Sequence, residues 1–420
     1  MALGIYISVP FCRTKCSYCN FASGVFSQAV FARYVDRLCE DIRGAPAAMA
    51  ALGGYFERQA DSIYLGGGTP TILPPQDLRR LFHCLRDVFS VAPDAEITLE
   101  CAPGSLDNDM LATLNGCGVN RVSLGVQSMV DGEAAAVGRL HKRATVLDDI
   151  ANLRGAGIHN INLDLIAGLP HQTAESWANS LQDVIATGVP QVSVYMLEVD
   201  EDSRLGRELI AGGTRYHAHF VPSDDVVADL YVEACRQLNA AGVTQYEISN
   251  FARAGTLSRH NLKYWTRQPY LGFGVDAHSM LEASSDAYTL LRADALRSRR
   301  VPEDSGSRPC AVSQANVEAL RFSTSDSLEE FLAGAPLKPI SVSWPEAREE
   351  AFFLGLRLSR GVDLRAIALR FGLSAEVEDI IAQLVAEGLL QREGAVVHLS
   401  ERGRLLSNEV FQRFLACTPL

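Results

Sequence analysis

The sequence predicts an α/β protein: a partial (β/α), TIM-like barrel followed by a small C-terminal α-helical, winged-helix-like domain. Three observations point there. Short β-branched runs alternate with helical patterns up to about residue 196, the rhythm of βα units around a parallel sheet. Polar or glycine-rich residues sit at the C-terminal ends of nearly all these runs, where a barrel builds its active site. From Trp344 onward the pattern changes to consecutive amphipathic helices and one hairpin.

The runs are IYISV at 5–9, SIYLG at 62–66, EITLE at 96–100, RVSLGV at 121–126, INLDLI at 161–166 and VSVYML at 192–197. Over residues 30–42, Val30, Phe31, Tyr34, Val35, Leu38 and Ile42 share one helical face. GCGV at 116–119 and GAGI at 155–158 read as helix stops ahead of the next strand. Cys12 follows the first run, Gly66–Gly68 the second and Gln127 the fourth, while Glu100 ends the third and Asp164 lies within the fifth. A doubly wound sheet would gather such residues at one switch point. Chemistry from so many strands favours a barrel, and an incomplete one.

After residue 198 the alternation weakens, although a helix at 224–241 and the strand-like QYEISNF at 245–251 still relate to the barrel. The expected divisions are a barrel at 1–240, a connecting segment at 241–343 with a turn-rich loop at 300–316, and a helical domain at 344–420. Winged helices often bind DNA, but residues 344–420 hold nine basic and eleven acidic side chains. That is a poor electrostatic footprint for nucleic acid, and a packing or lid role is expected instead.

With 420 residues, 47% of them hydrophobic, the chain can bury a large core. Its net charge of −12 gives no global attraction for nucleic acid or an anionic membrane. No apolar run approaches a membrane span, and the first residues lack a secretion signal, so a cytoplasmic protein is expected. Peripheral membrane contact through a surface patch stays open. Of ten cysteines, seven are scattered singly and read as small buried hydrophobes in a reducing compartment.

The other three, Cys12, Cys16 and Cys19, crowd into PFCRTKCSYCNF at 10–21. A structural zinc ion wants four protein ligands and a thioredoxin-like pair uses two. Three thiolates on one loop suit a cubic iron–sulfur cluster, which leaves one iron open to an exchangeable ligand. A reduced loop with incidental thiols is the alternative. GGGTP at 66–70 has more glycine than a tight turn needs, and glycine lets backbone approach a ligand closely. No P-loop lysine follows, so the charged end of an amino acid fits better than a phosphate.

The spacing C-x3-C-x2-C, with GGGTP after a strand, resembles the radical S-adenosylmethionine (SAM) superfamily. YISVPFC, YLGGGTPT, ITLECAPGS, RVSLGVQS, LDLIAGLPHQT, VSVYMLEVDEDS, YEISNFAR, HNLKYW and YLGFGVDAHS are similar to successive blocks of its HemN/HemW family. The resemblance implies the superfamily's own partial barrel, a [4Fe–4S] cluster on Cys12, Cys16 and Cys19, and SAM on the open iron. It implies SAM contacts from Tyr6, Gly67, Gly68, Thr69, Glu100, Gln127, Arg139 and Asp164. Glu100 and Asp164 suit ribose hydroxyls or the SAM amino group, since carboxylates in apolar strands are costly to bury without partners. Gln127 offers a donor and an acceptor, and Arg139 can grip a carboxylate, although in isolation it would read as a surface ion pair.

The family includes an oxygen-independent coproporphyrinogen III oxidase and a haem-chaperone branch. The oxidase continues its motif with a further cysteine two positions on, where this chain has Phe21, and carries a long extension where eleven residues precede Cys12. The chaperone branch has an HNxxYW block, matched here by His260, Asn261, Tyr264 and Trp265. His260 is thus a candidate axial ligand for haem iron, with the aromatic pair covering the macrocycle; a hydrogen-bonded loop histidine is the other reading. His217, His219 and His278 are secondary candidates. The branch usually has His at the position of Ser8 and Asp at that of Asn20. The resemblance implies haem as ligand, an acceptor protein as partner, and an electron donor if SAM is cleaved. The rival readings are radical decarboxylation of coproporphyrinogen III and a structural metal-binding module.

Overall fold

The computed structural model describes residues 1–284 and 317–415, so the loop expected at 300–316 lies outside the described residues. One sheet dominates. Its parallel part runs in the order β10 (Tyr270–Phe273), β1 (Leu3–Val9), β3 (Gln59–Gly67), β4 (Ser90–Cys101), β5 (Arg121–Gln127), β6 (Asn160–Ala167) and β7 (Gln191–Met196). Beyond β7, β9 (Asn250–Ala252) and β8 (Thr244–Gln245) pair antiparallel. Beyond β10 come β11 (His278–Ala283), β12 (Val317–Ser323) and β13 (Lys338–Ser343), with the short β2 (Gly54–Tyr55) beside β11. β7 and β10 do not pair, so the barrel is open, as expected.

Each strand run expected up to residue 197 is a strand here, and helices cross between them. The first helix, Ala29–Ala51, runs well past residue 42 and buries Phe31, Tyr34, Val35, Leu38 and Ile42. Among the described residues of 241–343, four strands from Tyr270 to Ser343 extend the same sheet. QYEISNF is broken: the amides of Tyr246 and Glu247 both turn to the Asn250 carbonyl.

Strand alternation separates the two sheet faces. Leu3, Ile5, Ile7 and Val9 of β1, with Val122 and Leu124 of β5, are buried against the helices. Each fully buried side chain of this kind contributes ~1.5–3 kcal/mol. The opposite phase lines the lumen with Tyr6, Ser62, Tyr64, Glu96, Thr98, Glu100, Arg121, Asn162 and Asp164. A closed barrel fills this space with branched apolar residues. Here it is polar, as a ligand-holding interior requires.

The C-terminal domain packs helices Trp344–Leu356, Leu364–Phe371 and Ala375–Ala386 against a three-stranded wing of β14 (Val362–Asp363), β16 (Val396–Leu399) and β15 (Leu390–Glu393). Phe352 stacks on Phe414 at 4.8 Å in its core. Ser343 and Glu346 form a capping box that starts the first of these helices. Arg267 joins the domain to the sheet through Glu318 at 2.9 Å and Glu350 at 2.8 Å.

Candidate functional site

The three cysteines lie on the loop leaving β1 at the C-terminal mouth of the barrel, and all three thiols are free. The loop is fixed by its backbone. The Cys12 amide donates to Gly24 O at 2.9 Å and Lys15 Nζ donates to the carbonyls of Phe21 and Ser23. Ser17 N–H reaches Val137 O, and Leu205 N–H reaches Ser17 O. Burial, outweighing hydrogen bonds from Ser23 and Thr69, pushes the Cys12 thiol up. Among the described residues no three His, Cys, Asp or Glu side chains stand close enough to share a single ion. A four-iron cube spreads its corners more widely than one ion spreads its ligands.

GGGTP closes on this loop. Gly67 has φ +97°. A Cβ on Gly66 would stand 3.0 Å from the Glu100 carboxylate, and one on Gly68 would meet Phe11 O at 2.6 Å and Cys12 Sγ at 3.0 Å. Three glycines are therefore needed for three reasons: room for a carboxylate, a left-handed turn, and contact with the cysteine loop. The amides of Gly68 and Thr69 donate to Val9 O and Phe11 O at 2.8 Å, so they brace the loop rather than face the lumen.

The other expected contacts converge from neighbouring strands. Tyr64 Oη donates to Glu100 Oε1 at 2.8 Å, and Ser123 Oγ and Asn162 Nδ2 donate to Asp164 at 2.9 and 2.8 Å. Burial first, and then the Asp164 charge, raise the Glu100 carboxyl to about 7; burial also raises Asp164. Arg139 hangs beside them, with Nη2 on Gly125 O at 2.5 Å and Nε buried without a partner. Despite its burial, the nearby Tyr18, Cys16 and Asp164 keep its guanidinium charge favoured. Gln127 ends β5 at φ 69°, a strained conformation for a non-glycine residue. Tyr6 lies deeper, its ring centre 6.2 Å from that of Tyr64.

These features fit a cluster with SAM beside it. An orphaned guanidinium nitrogen asks for an anion, two carboxyls raised by burial ask for a cation or hydroxyl donors, and three free thiols stand at the mouth. Tyr64, Ser123 and Asn162 were missed in the sequence. The signal was there for Asn162, which lies two residues before Asp164 on the same strand face, and for Tyr64, which closely precedes the glycine run.

His260 lies in the layer below these residues, its ring centre 5.4 Å from that of Tyr64. It belongs to the helix Arg259–Trp265, which plugs the floor of the barrel. Its ring is fully buried, with Nδ1 3.0 Å from Ser62 Oγ and Nε2 2.8 Å from Tyr264 Oη. Burial first, then Lys263 and Arg121, lower it to about 3. Ser62 precedes Gly66 by four residues, about 13 Å along a strand. Both nitrogens are occupied, so ligating haem iron requires the helix to leave the floor. The aromatic pair is engaged too: Tyr264 meets Tyr270 edge-on at 4.6 Å, and Arg357 lies 4.3 Å over the Trp265 ring. His278 is exposed near Asp276 at the β10–β11 turn, His217 precedes the turn Ala218–Phe220, and His219 lies within it. Of the two departures, Asn20 donates to Asp200 at 3.0 Å, and the Ser8 carbonyl accepts from Tyr34.

The chain matches the family model of the radical SAM superfamily over residues 6–184 and that of the HemN C-terminal domain over 342–406. It is 31% identical to the heme chaperone HemW of Bacillus subtilis, covering 98% of each chain. It is also 31% identical to the heme chaperone HemW of Mycobacterium tuberculosis strain H37Rv, over 98% of this chain and 94% of that one. Its fold is shared by coproporphyrinogen III oxidase (HemN) from Escherichia coli, with a TM-score of 0.78 at 23% identity over 99% of this chain and 91% of the other. The chain belongs to the radical SAM superfamily and, within it, to the HemW family.

Proposed function

We propose that this protein binds haem and passes it to an acceptor protein, using a [4Fe–4S] cluster and SAM as resident cofactors. When bound, the cluster supplies an electron and an exchangeable coordination site at its fourth iron. The chain's own residues hold and orient. Cys12, Cys16 and Cys19 are the thiolates for three corners. Arg139 faces a carboxylate, Glu100 and Asp164 accept hydrogen bonds from an ammonium or from ribose hydroxyls, and Gly67, Gly68 and Thr69 set the backbone against the loop. Tyr6 and Gln127 complete the wall. A cytoplasmic location belongs to the same proposal; among the described residues no helix is long and apolar enough to cross a membrane.

The observation that carries the chaperone reading over the oxidase is Phe21. It stands where the oxidase pattern has its further cysteine, and it is 64% exposed at the loop surface. The full-length likeness to heme chaperones agrees with it. Anaerobic reconstitution followed by haem titration tests the reading. A Soret band at one haem per chain, with no decarboxylation of coproporphyrinogen III by the reduced, SAM-loaded protein, is expected. Porphyrinogen turnover without haem uptake would establish the oxidase instead.

A further inference from the structure

Outside the cysteine loop, two histidines from distant parts of the chain meet at the rim of the mouth. His171 follows β6, and His217 precedes the turn Ala218–Phe220. Nε2 of His171 lies 3.2 Å from Nδ1 of His217, and the ring centres are 5.0 Å apart at 65°. Both residues adopt left-handed backbone, with φ 68° and 60°. Such strain persists only where the surroundings impose it. They do so here: Glu208 accepts from the amides of Tyr216 at 2.8 Å and Ala218 at 3.1 Å, and the His171 amide donates to Phe220 O at 3.1 Å.

Two imidazole nitrogens bound to one ion at about 2.0–2.1 Å and a near-tetrahedral angle stand roughly 3.3 Å apart, with ring centres about 5 Å apart. Without an ion the same pair forms a bent imidazole–imidazole hydrogen bond, which a bound ion would replace. A porphyrin leaves its iron only two positions on opposite faces, roughly 4 Å apart, which this side-by-side pair does not match. The local charge also favours a cation. Glu133, 3% exposed, keeps one carboxylate oxygen without a hydrogen-bond partner, and its charge is felt at His171.

We infer that His171 and His217 form a second metal site, taking a divalent transition ion of the zinc or nickel class as a two-imidazole chelate completed by water. Among the described residues no third His, Cys, Asp or Glu converges on them, so the site is open and exchangeable. A bound ion staples the loop after β6 to the segment that Glu208 holds. The helix carrying Glu208, Arg204–Ala211, touches the cysteine loop through the Leu205 amide on Ser17 O at 2.8 Å. The inference is independent of the haem reading.

The test is a zinc titration of the cluster-loaded full chain against a chromophoric chelator, so that the cysteines are already occupied. One zinc equivalent beyond the cluster is expected, with a rise in Tm. His171→Gly and His217→Gly suit the left-handed backbone and keep the fold; each weakens zinc binding at least tenfold and abolishes the Tm rise. Zinc uptake equal in the wild type and both glycine variants, or absent from the wild type, overturns the site.

Discussion

The mouth and the floor of this barrel are built on the same strands and are equally polar, yet they treat their polar groups in opposite ways. At the floor the partner sets are nearly complete. Glu96 accepts from Ser258 Oγ and the amides of Arg259 and His260, an acidic cap on a helix N-terminus. Lys263 binds Ala2 O and Asp61, each at 2.8 Å, and both nitrogens of His260 are used. The exceptions include Trp265 Nε1 and the Nε of Arg357, whose guanidinium covers the Trp265 ring. At the mouth the sets are open: a buried Arg139 Nε, three free thiols and two carboxyls raised by burial. Polarity in a lumen does not mark a ligand site by itself; an unfinished set of partners does.

Changes at the mouth should therefore remove ligands and spare the fold, and changes at the floor should do the reverse. The largest effect is expected from Cys16→Ala, which abolishes [4Fe–4S] reconstitution in iron and sulfide assays while leaving the apo Tm within a few degrees. Gly68→Ala comes next. Its Cβ meets backbone atoms that cannot yield, so the cysteine loop shifts and cluster content drops severalfold. His260→Ala is the floor counterpart. It leaves the hydroxyls of Ser62 and Tyr264 unpaired around a cavity, costing ~2–4 kcal/mol in denaturant unfolding, while the Soret maximum of the haem complex stays in place. A shifted maximum with unchanged stability would reverse the assignment of that end.

Arg139→Gln removes the charged donor and lowers SAM affinity about tenfold or more by calorimetry, with little change in Tm. The smallest effect is a pH slope. Glu100 is raised to about 7 in the folded chain, so the fold binds more protons than the unfolded chain between about pH 5 and 7. Stability of the apo chain falls as pH climbs through that window, and SAM affinity rises as the carboxylate forms. Glu100→Gln flattens both slopes; a slope that persists in the variant assigns the proton to another group.

The parallel strands and the cysteine loop were legible because alternation and spacing are local properties. The strands from 270–343 were not. Tyr270–Phe273 is four residues long, and its identity as a strand comes from lying beside β1. His260 shows the same limit at a site. The i, i+4 step from His260 to Tyr264 is a helical spacing, and it allows the hydrogen bond that helps occupy the ring. Ser62, the other partner, is 198 residues away. The motif identified the residue, but whether its bonds are already spent is a three-dimensional fact. Ser8 and Asn20 were legible only as departures; Asp200 opposite Asn20 shows an amide donor meeting a carboxylate where a second carboxylate would be repelled.

The strand order has a consequence for biosynthesis. β1, which leads straight into the cysteine loop, is flanked on one side by β3 and on the other by β10, with Tyr6 facing Gly272. A nascent chain makes the thiols long before it makes the strand that encloses their base. The wall at the base of the cysteine loop therefore closes only when a strand made far later in the chain takes its place beside β1.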